Sequence, residues 1–313
     1  MTLSEATADR AAGVLLGLAC GDALGVPYEF DRIVLGLGER PEMLGGGPAG
    51  LAPGQWSDDT SMAVGVAEGL AGGGSSAEQL DAIGRRFLDW FDTSPPDAGS
   101  QTRAVLGAVA GIDRRGVGSA LHAAAVDYAR RHPHAAGNGA LMRTAPVALA
   151  HLGDRTACTD AARAIAALTH ADPDVADACA LWTEAVRVAV TGGGIDLASG
   201  LDLVADPGRW RAVLEEATTG DLARFRPNGW TTRTLQVAYG AIHRAGPDLE
   251  RTLTLAIRVG DDTDTVAAVA GSLLGAHHGA TALPRQWREA IHGWPGHTAA
   301  DLHDLALRLA NRW

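Results

Sequence analysis

The run Asp261-Asp262-Thr263-Asp264-Thr265-Val266-Ala267-Ala268-Val269-Ala270-Gly271-Ser272-Leu273-Leu274-Gly275-Ala276-His277 decides the fold class. Past its acidic start, Val266, Val269, Ala270, Leu273, Leu274 and His277 recur at the spacing of one helical face. Acids and hydroxyls at the head of such a stretch suit a helix N-terminus, where side-chain oxygens accept orphan N–H groups and negative charge meets the positive end of the dipole. The run therefore predicts an α-helix that opens on an acidic cluster. Far upstream, Ser57-Asp58-Asp59-Thr60 repeats the design, following a glycine-containing turn and leading into Met62, Val66 and Leu70.

One capping oxygen would satisfy either helix start. Adjacent carboxylates, however, repel one another, and either solvent or a cation must relieve that repulsion. The hydroxyls of Ser57, Thr60, Thr263 and Thr265 beside them form the oxygen-rich set that hard divalent ions such as Mg²⁺ prefer. Either cluster alone reads first as a cap. Two of the same design that converge predict a paired-metal site, with ions roughly 3.5–4 Å apart clamping neighbouring oxygens of substrate or water.

Working outward, apolar residues keep helical spacing over roughly 8–20, 77–92, 101–115, 118–131, 139–152, 155–169, 172–192, 230–245 and 248–258, and again at Leu302, Leu305, Ala306 and Leu309. No alternating strand of useful length occurs, so the fold reads as all-α. Alanine and glycine dominate these segments, which predicts close helix pairs. Irregular segments fall at 21–56, 93–100, 132–139, 192–208 and 220–230. The 313 residues admit two domains by length, but no linker divides them, and a single domain over 1–313 is expected.

Hydrophobic residues make up 46% of the chain and charged ones 20%, a composition for a packed core rather than disorder. A net charge of −11, with the acids scattered, argues against binding a nucleic-acid backbone or an anionic membrane. All 26 basic residues are Arg, which excludes Schiff-base lysine chemistry and the Gly-Lys-Ser/Thr phosphate loop. Cys20, Cys158 and Cys179 lack metal-ligand spacing and read as buried thiols. Met1-Thr2-Leu3-Ser4-Glu5 begins no signal pattern, and the longest apolar run, Ala11–Cys20, is too short to span a bilayer; a cytoplasmic protein is expected.

Five blocks in order carry a resemblance: Gly17-Leu18-Ala19-Cys20-Gly21-Asp22-Ala23-Leu24-Gly25 running into Glu29-Phe30, Trp56-Ser57-Asp58-Asp59-Thr60, Pro96-Asp97-Ala98-Gly99-Ser100-Gln101-Thr102-Arg103, Gly137-Asn138-Gly139-Ala140-Leu141-Met142-Arg143, and Gly260-Asp261-Asp262-Thr263-Asp264-Thr265. The chain resembles the ADP-ribosylglycohydrolase family. That resemblance implies an all-α fold with a binuclear Mg²⁺ or Mn²⁺ centre, cleaving ADP-ribose from a modified group. It implies metal ligation by Ser57, Asp58, Asp59, Asp262, Asp264 and Thr265, and it sets Glu29 and Asp97 beside the scissile bond, with Asp59 counted in the catalytic set as well. The Gly137-Asn138-Gly139 turn would meet pyrophosphate and ribose through backbone N–H groups, and Trp230 would lie near the nucleotide. His170, in Thr169-His170, reads equally as a helix-end or core histidine and as a substrate contact.

Cleavage at ribose C1 develops oxocarbenium character that carboxylates stabilise, and bound metals would orient the sugar and activate water. Asp97 would hold a guanidinium leaving group or act on its proton. The expected substrate is an ADP-ribosylated protein or a small ADP-ribose conjugate, with arginine as the modified residue. Serine-, ester- and nucleobase-linked ADP-ribose, a silent ADP-ribose-binding protein, and a two-metal phosphohydrolase are the alternatives, the last weakened by the lack of His-Asp metal pairs.

Gly260-Asp261 departs from the family's Gly-Gly, so Asp261 reads as a supporting group, a cap or an exposed side chain. Asp22 reads as a brace for the metal shell or as a cap, within a glycine turn. His277-His278 suits a helix C-terminus, His132 and His134 lack a fixed spacing to any acid, and Trp182, Trp210, Trp287, Trp294 and Trp313 read as packing anchors.

Overall fold

Glycine recurs at every fourth position of the first helix, at Gly13, Gly17, Gly21 and Gly25, and that row fixes the centre of the molecule. In the computed structural model, which describes residues 3–111, 113–192, 194–246 and 248–312, the chain is all-α. The helices are α1 (Glu5–Gly25), α2 (Asp58–Ala71), α3 (Ser76–Phe91), α4 (Ser100–Val109), α5 (Val117–Arg131), α6 (Pro146–Ala150), α7 (Arg155–Ala166), α8 (Pro173–Gly192), α9 (Pro207–Thr219), α10 (Thr231–Ala245), α11 (Leu249–Arg258), α12 (Thr263–His278), α13 (Arg285–Ala290) and α14 (Ala299–Ala310). Among the described residues the only sheet is the two-residue antiparallel pair His292–Gly293 and His297–Thr298. Trp313 lies outside the described residues.

The glycine row lies on α12 with no side chain between the backbones. A Cβ added at Gly17 would sit 2.2 Å from the Gly271 carbonyl oxygen, one at Gly21 2.1 Å from that of Ala267, and one at Gly13 2.1 Å from that of Gly275. The two helices therefore run antiparallel at backbone contact, which brings the C-terminal end of α1 onto the acidic N-terminus of α12. The remaining helices pack around this pair, and Leu15, Leu18, Leu24, Leu273 and Leu274 are wholly buried in the core. A smaller cluster around Phe225, Val237 and Val266 closes α10 and α11 onto α12.

Several boundaries differ from the periodicity. α1 continues through Gly25, so Asp22 stands inside a helix and not in a turn; its neighbouring glycines serve the contact with α12 rather than a bend. By length and composition the Glu5–Asp31 stretch would qualify as a membrane span, although Ala11–Cys20 alone does not, but its apolar window is wholly buried among other helices. The 139–152 pattern splits into a 3-10 segment, Asn138–Arg143, and α6, because Pro146 opens a new helix at its N-terminal position. α9 went unread in the periodicity, yet its start carries the standard signals of Asp206 as a side-chain cap and Pro207 in the first turn.

Trp182 and Trp210 are buried, and Trp287 and Trp294 are partly so. The thiols of Cys20, Cys158 and Cys179 are buried and unbridged. His277 and His278 occupy the last turn of α12, and exposed His132 stacks on Tyr128.

Candidate active site

Both acidic clusters are helix starts. Ser57 is the N-cap of α2, its Oγ accepting from the Asp59 amide at 3.3 Å and donating to Asp59 Oδ2 at 3.0 Å. Asp262 is the N-cap residue of α12 but makes no side-chain cap bond. Its carboxylate is thereby free to face away from its own helix. Thr265 Oγ1 reaches Asp59 Oδ2 at 3.3 Å, so the two clusters meet directly.

The helices that carry them are held by residues from elsewhere. Asp22, buried in α1, accepts from the Ser57 amide at 2.9 Å, the Thr60 amide at 3.0 Å and Thr60 Oγ1 at 2.6 Å. Of its two expected roles Asp22 fills that of a cap, since a carboxylate of α1 caps α2. Asp262 Oδ2 accepts from Asn138 Nδ2 at 2.8 Å, and the Asp262 amide donates to Asn228 Oδ1 at 2.9 Å. Asp261 accepts the Asn228 amide at 2.5 Å, which makes it a brace for the 226–230 loop. Asn228, wholly buried, was not singled out from the sequence, where its one signal is an Asn-Gly pair in a loop.

Among the described residues, the non-glycine residues with positive φ are Phe30 (51°), Asp31 (56°), Ser94 (56°) and Asp261 (67°), three of which lie in the segments that carry Glu29 and Asp262. Such conformations cost about 1–3 kcal/mol and persist where the surroundings fix them. Here the Phe30 amide donates to the Asp261 carbonyl at 2.7 Å, and Asp31 pairs with Arg226.

A cavity of about 390 Å³ opens between these elements. It is lined by Glu29, Asp58, Asp97, Asp262, Asp264 and Thr265 together with Gly137, Asn138, Gly139, Gln101, Met142 and His170. Ser57 and Asp59 lie buried behind Asp58. Trp230 stands just outside, half-exposed, next to the lining residue Gly229. A larger depression of about 640 Å³ is lined by Arg40, Arg251 and Arg258 as well as Asp248 and Glu250, with Arg40 and Glu250 paired at 2.9 Å, so its acids stand among arginines.

The glycine turn differs from its expected use in one respect. The Asn138 amide already donates to the Gly229 carbonyl at 3.1 Å and is not available to a ligand phosphate; the Asn138 side chain works on Asp262 instead. His170 lies beneath the turn, its Nδ1 2.7 Å from Thr169 Oγ1 and its Cε1 3.0 Å from where a Gly139 Cβ would be. Burial, and then Arg143, push its pKa down to about 3, so it is neutral. Arg143 is itself wholly buried, donating to the Gly139 carbonyl at 2.9 Å and Thr169 Oγ1 at 2.7 Å, and so ties the turn to the His170 segment.

Burial pushes Asp58, Asp59 and Asp264 well above the usual carboxylate range, and repulsion among the acids adds to it. Burial, then Asp262, Asp22 and Asp97, raise Glu29 to about 8. Asp22 rises to about 6 through burial, against the hydrogen bonds from Thr60 and Ser57. Asp97 rises by burial, offset by backbone hydrogen bonds that include the Asp58 amide. Its Pro-rich loop is remote from the clusters in sequence, but the Asp97 carboxylate adjoins Asp58.

None of these carboxylates has an Arg or His ion-pair partner among the described residues. Asp22, Asp59 and Asp264 offer oxygens within 4.8 Å of one another, as do Glu29, Asp262 and Asp264. Asp59 Oδ1 is buried without a hydrogen-bond partner. Desolvated carboxylates at Asp58, Asp59 and Asp264, the orphaned Asp59 oxygen and the half-buried Glu29 and Asp262 beside Asp264 fit hard divalent cations. Asp22, with three donors already on its two oxygens, fits a support better than a ligand.

Residues 3–313 match the ADP-ribosylglycohydrolase family. The ADP-ribosylarginine hydrolase Tri1 of Pseudomonas putida (strain GB-1) is 30% identical, the match covering 98% of this chain and 80% of that protein. The ADP-ribosyl-[dinitrogen reductase] glycohydrolase of Rhodospirillum rubrum is 31% identical over 89% of each. A solved structure of an ADP-ribosylglycohydrolase-related protein complex superposes with a TM-score of 0.74 at 31% identity, covering 99% of both chains.

Proposed function

The chain belongs to the ADP-ribosylglycohydrolase family and is a hydrolase of ADP-ribosyl glycosidic bonds, and from that premise we propose that it releases ADP-ribose from arginine in modified proteins, with two divalent cations, Mg²⁺ or Mn²⁺, completing the site. The observation that carries the metal reading is the group of buried and half-buried carboxylates that make no salt bridge among the described residues, with Asp264 common to both clusters of converging oxygens. Ser57, Asp58, Asp59, Asp262, Asp264 and Thr265 are the proposed ligand set, and the proximity of Glu29 to Asp262 and Asp264 adds it to the candidates. When bound, the cations would orient the ribose diol and lower the pKa of the attacking water.

The chain's own residues account for the rest. Gly137, Gly139 and His170 would border the ADP-ribose, His170 staying neutral, with Trp230 at the rim. Asp97 faces the same cavity as Asp58 and Asp262 and is the group proposed to receive the guanidinium, through a charge-assisted pair. In hydrolysis the C1–N bond breaks, a water oxygen bonds to C1 and gives up one proton, and the departing guanidine nitrogen gains one. Asp97 or Glu29, both held above their usual range, can carry that proton. Names of relatives that act on ADP-ribosylarginine support the choice of leaving group.

The test is one panel of arginine-, serine- and nucleobase-linked ADP-ribose, assayed with Mg²⁺, with Mn²⁺ and with chelator, for wild type and Asp97→Asn. Metal-dependent release from the arginine conjugate is expected, with a loss in the variant on the order of ten- to a hundredfold, the worth of one charged hydrogen bond. ADP-ribose affinity should stay near wild type. Release from another conjugate alone overturns the arginine assignment, and full activity in chelator overturns the metal centre.

A further inference from the structure

Arg143 is the only buried arginine among the described residues. Its guanidinium stands over the Phe87 ring at 4.5 Å, and no carboxylate pairs with it among the described residues; its bonds go to the Gly139 carbonyl at 2.9 Å, Thr169 Oγ1 at 2.7 Å and Met62 Sδ at 3.6 Å. Burying a charge this way costs free energy, and an apolar side chain of similar volume would pack the two segments together without that cost. What the arginine adds is a set of N–H groups that donate and never accept.

That property fixes a proton. Thr169 is wholly buried, and among the described residues its hydroxyl has two polar neighbours, Arg143 Nη2 and His170 Nδ1, each at 2.7 Å. Arg143 can only donate, so the hydroxyl hydrogen has His170 Nδ1 as its one acceptor. A hydrogen on Nδ1, whether of a neutral ring or of the imidazolium, would leave the buried O–H without a partner. The ring therefore carries its hydrogen on Nε2. Nε2 makes no hydrogen bond among the described residues, and His170 lines the cavity that holds the carboxylates. Gly137 and Gly139 lie along that edge, where a Cβ would stand 3.6 and 3.3 Å from Nε2, and their lack of side chains leaves it uncovered. Gln101 of α4 holds the same segment from another side, donating to the Thr169 carbonyl at 3.0 Å.

We infer that Arg143 and Thr169 are positioning residues that present His170 to the cavity as an Nε2–H donor, aimed at an acceptor oxygen of the bound ADP-ribosyl group and unable to take a proton from it. The ligand rests on the proposed reading of the cavity as the ADP-ribose site; the state of the ring does not, because Arg143, Thr169 and His170 are set within the chain itself. The chemistry of ADP-ribose matches, since its phosphate and ribose oxygens accept such a bond, whereas a bare Nε2 would turn a lone pair toward them.

The test uses wild type, Thr169→Val and Thr169→Ser with histidine labelled in nitrogen-15, and His170→Gln to assign the His170 signals. In ligand-free wild type at neutral pH the nitrogen shifts should show a hydrogen on Nε2 and none on Nδ1. Thr169→Val keeps the shape and removes the hydroxyl; it should give a mixture of the two ring forms and lower ADP-ribose affinity, by calorimetry with Mg²⁺ present, about five- to tenfold, close to the worth of one hydrogen bond. Thr169→Ser restores the hydroxyl and should keep both the Nε2–H form and an affinity within about twofold of wild type. Thermal melts check that each variant is folded. A hydrogen on Nδ1 in wild type overturns the inference even if Thr169→Val does not fold, as do wild-type affinity in Thr169→Val or equal losses in the two variants. Wild type that shows the Nε2–H ring and does not bind ADP-ribose overturns instead the reading of the cavity, and the assigned ligand with it.

Discussion

Asp262 caps α12 by position but not by bond; its carboxylate is aimed by Asn138 at 2.8 Å and its amide is fixed by Asn228 at 2.9 Å. Cutting such outer support for a metal-binding carboxylate typically weakens affinity about 10–100-fold. Asn138→Ala is therefore expected to lower Mn²⁺ affinity, titrated by calorimetry, by about tenfold or more while the helical circular dichroism is unchanged. Mn²⁺ binding as tight as in wild type would reduce Asn138 to a strut between loops. The acids themselves were legible in the sequence because adjacent like charges at a helix start demand an explanation. What holds them was legible only in part, since Asp22 and Asp261 read as possible supports but their partners did not. Asn228 carries no charge and has no periodicity, and Asp22 and Asp97 reach Ser57 and Asp58 only through tertiary contacts that local patterns do not encode.

At the scale of elements, the α1–α12 pair does the positioning. With Gly13, Gly17 and Gly21 each closer than 2.3 Å, at a built Cβ, to a carbonyl of α12, any side chain there must push the helices apart. Overpacking of this kind costs about 1–3 kcal/mol, and here it would also separate Asp22 from the head of α12. Gly21→Ala is expected to lower the melting temperature by several degrees, roughly 2–4 °C per kcal/mol for a chain of this size class. Activity should fall further than stability explains at a temperature where the variant is fully folded. A variant that melts lower but turns over normally would show that the carboxylates tolerate movement of the helix pair. Helical periodicity revealed that these elements exist, and small residues implied close packing, but the partner of α1 was not readable. The same limit explains why the stretch around Asp22 was read as a turn: glycines that serve a contact and glycines that serve a bend look alike in sequence. α9 was missed for another reason, because its cap and Pro207 are clear but its buried face is confined to Trp210, Leu214 and Ala217.

For the whole molecule, the consequence of gathering so many acids in one interior is a dependence of stability on pH and on cations. Asp22 is raised from 3.8 to about 6 and Glu29 from 4.5 to about 8, with Asp58, Asp59 and Asp264 also raised, in each case chiefly by burial. A carboxyl whose folded pKa exceeds its unfolded one holds its proton in the native state after the unfolded chain has released it. Its contribution to stability is complete below the unfolded value and is lost as pH rises through the folded one. For Asp22 and Glu29 the windows run from 3.8 to about 6 and from 4.5 to about 8. His170, held down to about 3, acts oppositely, since its contribution is present above the ordinary histidine value of 6.5 and is lost as pH falls. It is one group against several. Without cations the protein should therefore melt higher near about pH 5.5 than near about pH 8. Divalent ions favour the ionised carboxylates, so Mn²⁺ should raise the melting temperature most at the alkaline end and narrow or invert the difference. Thermal melts in chelator and in Mn²⁺ at the two pH values test both halves. A chelated protein that becomes more stable from about pH 5.5 to about pH 8 would mean that the fold already neutralises these charges without a metal, and the binuclear reading would lose its physical basis.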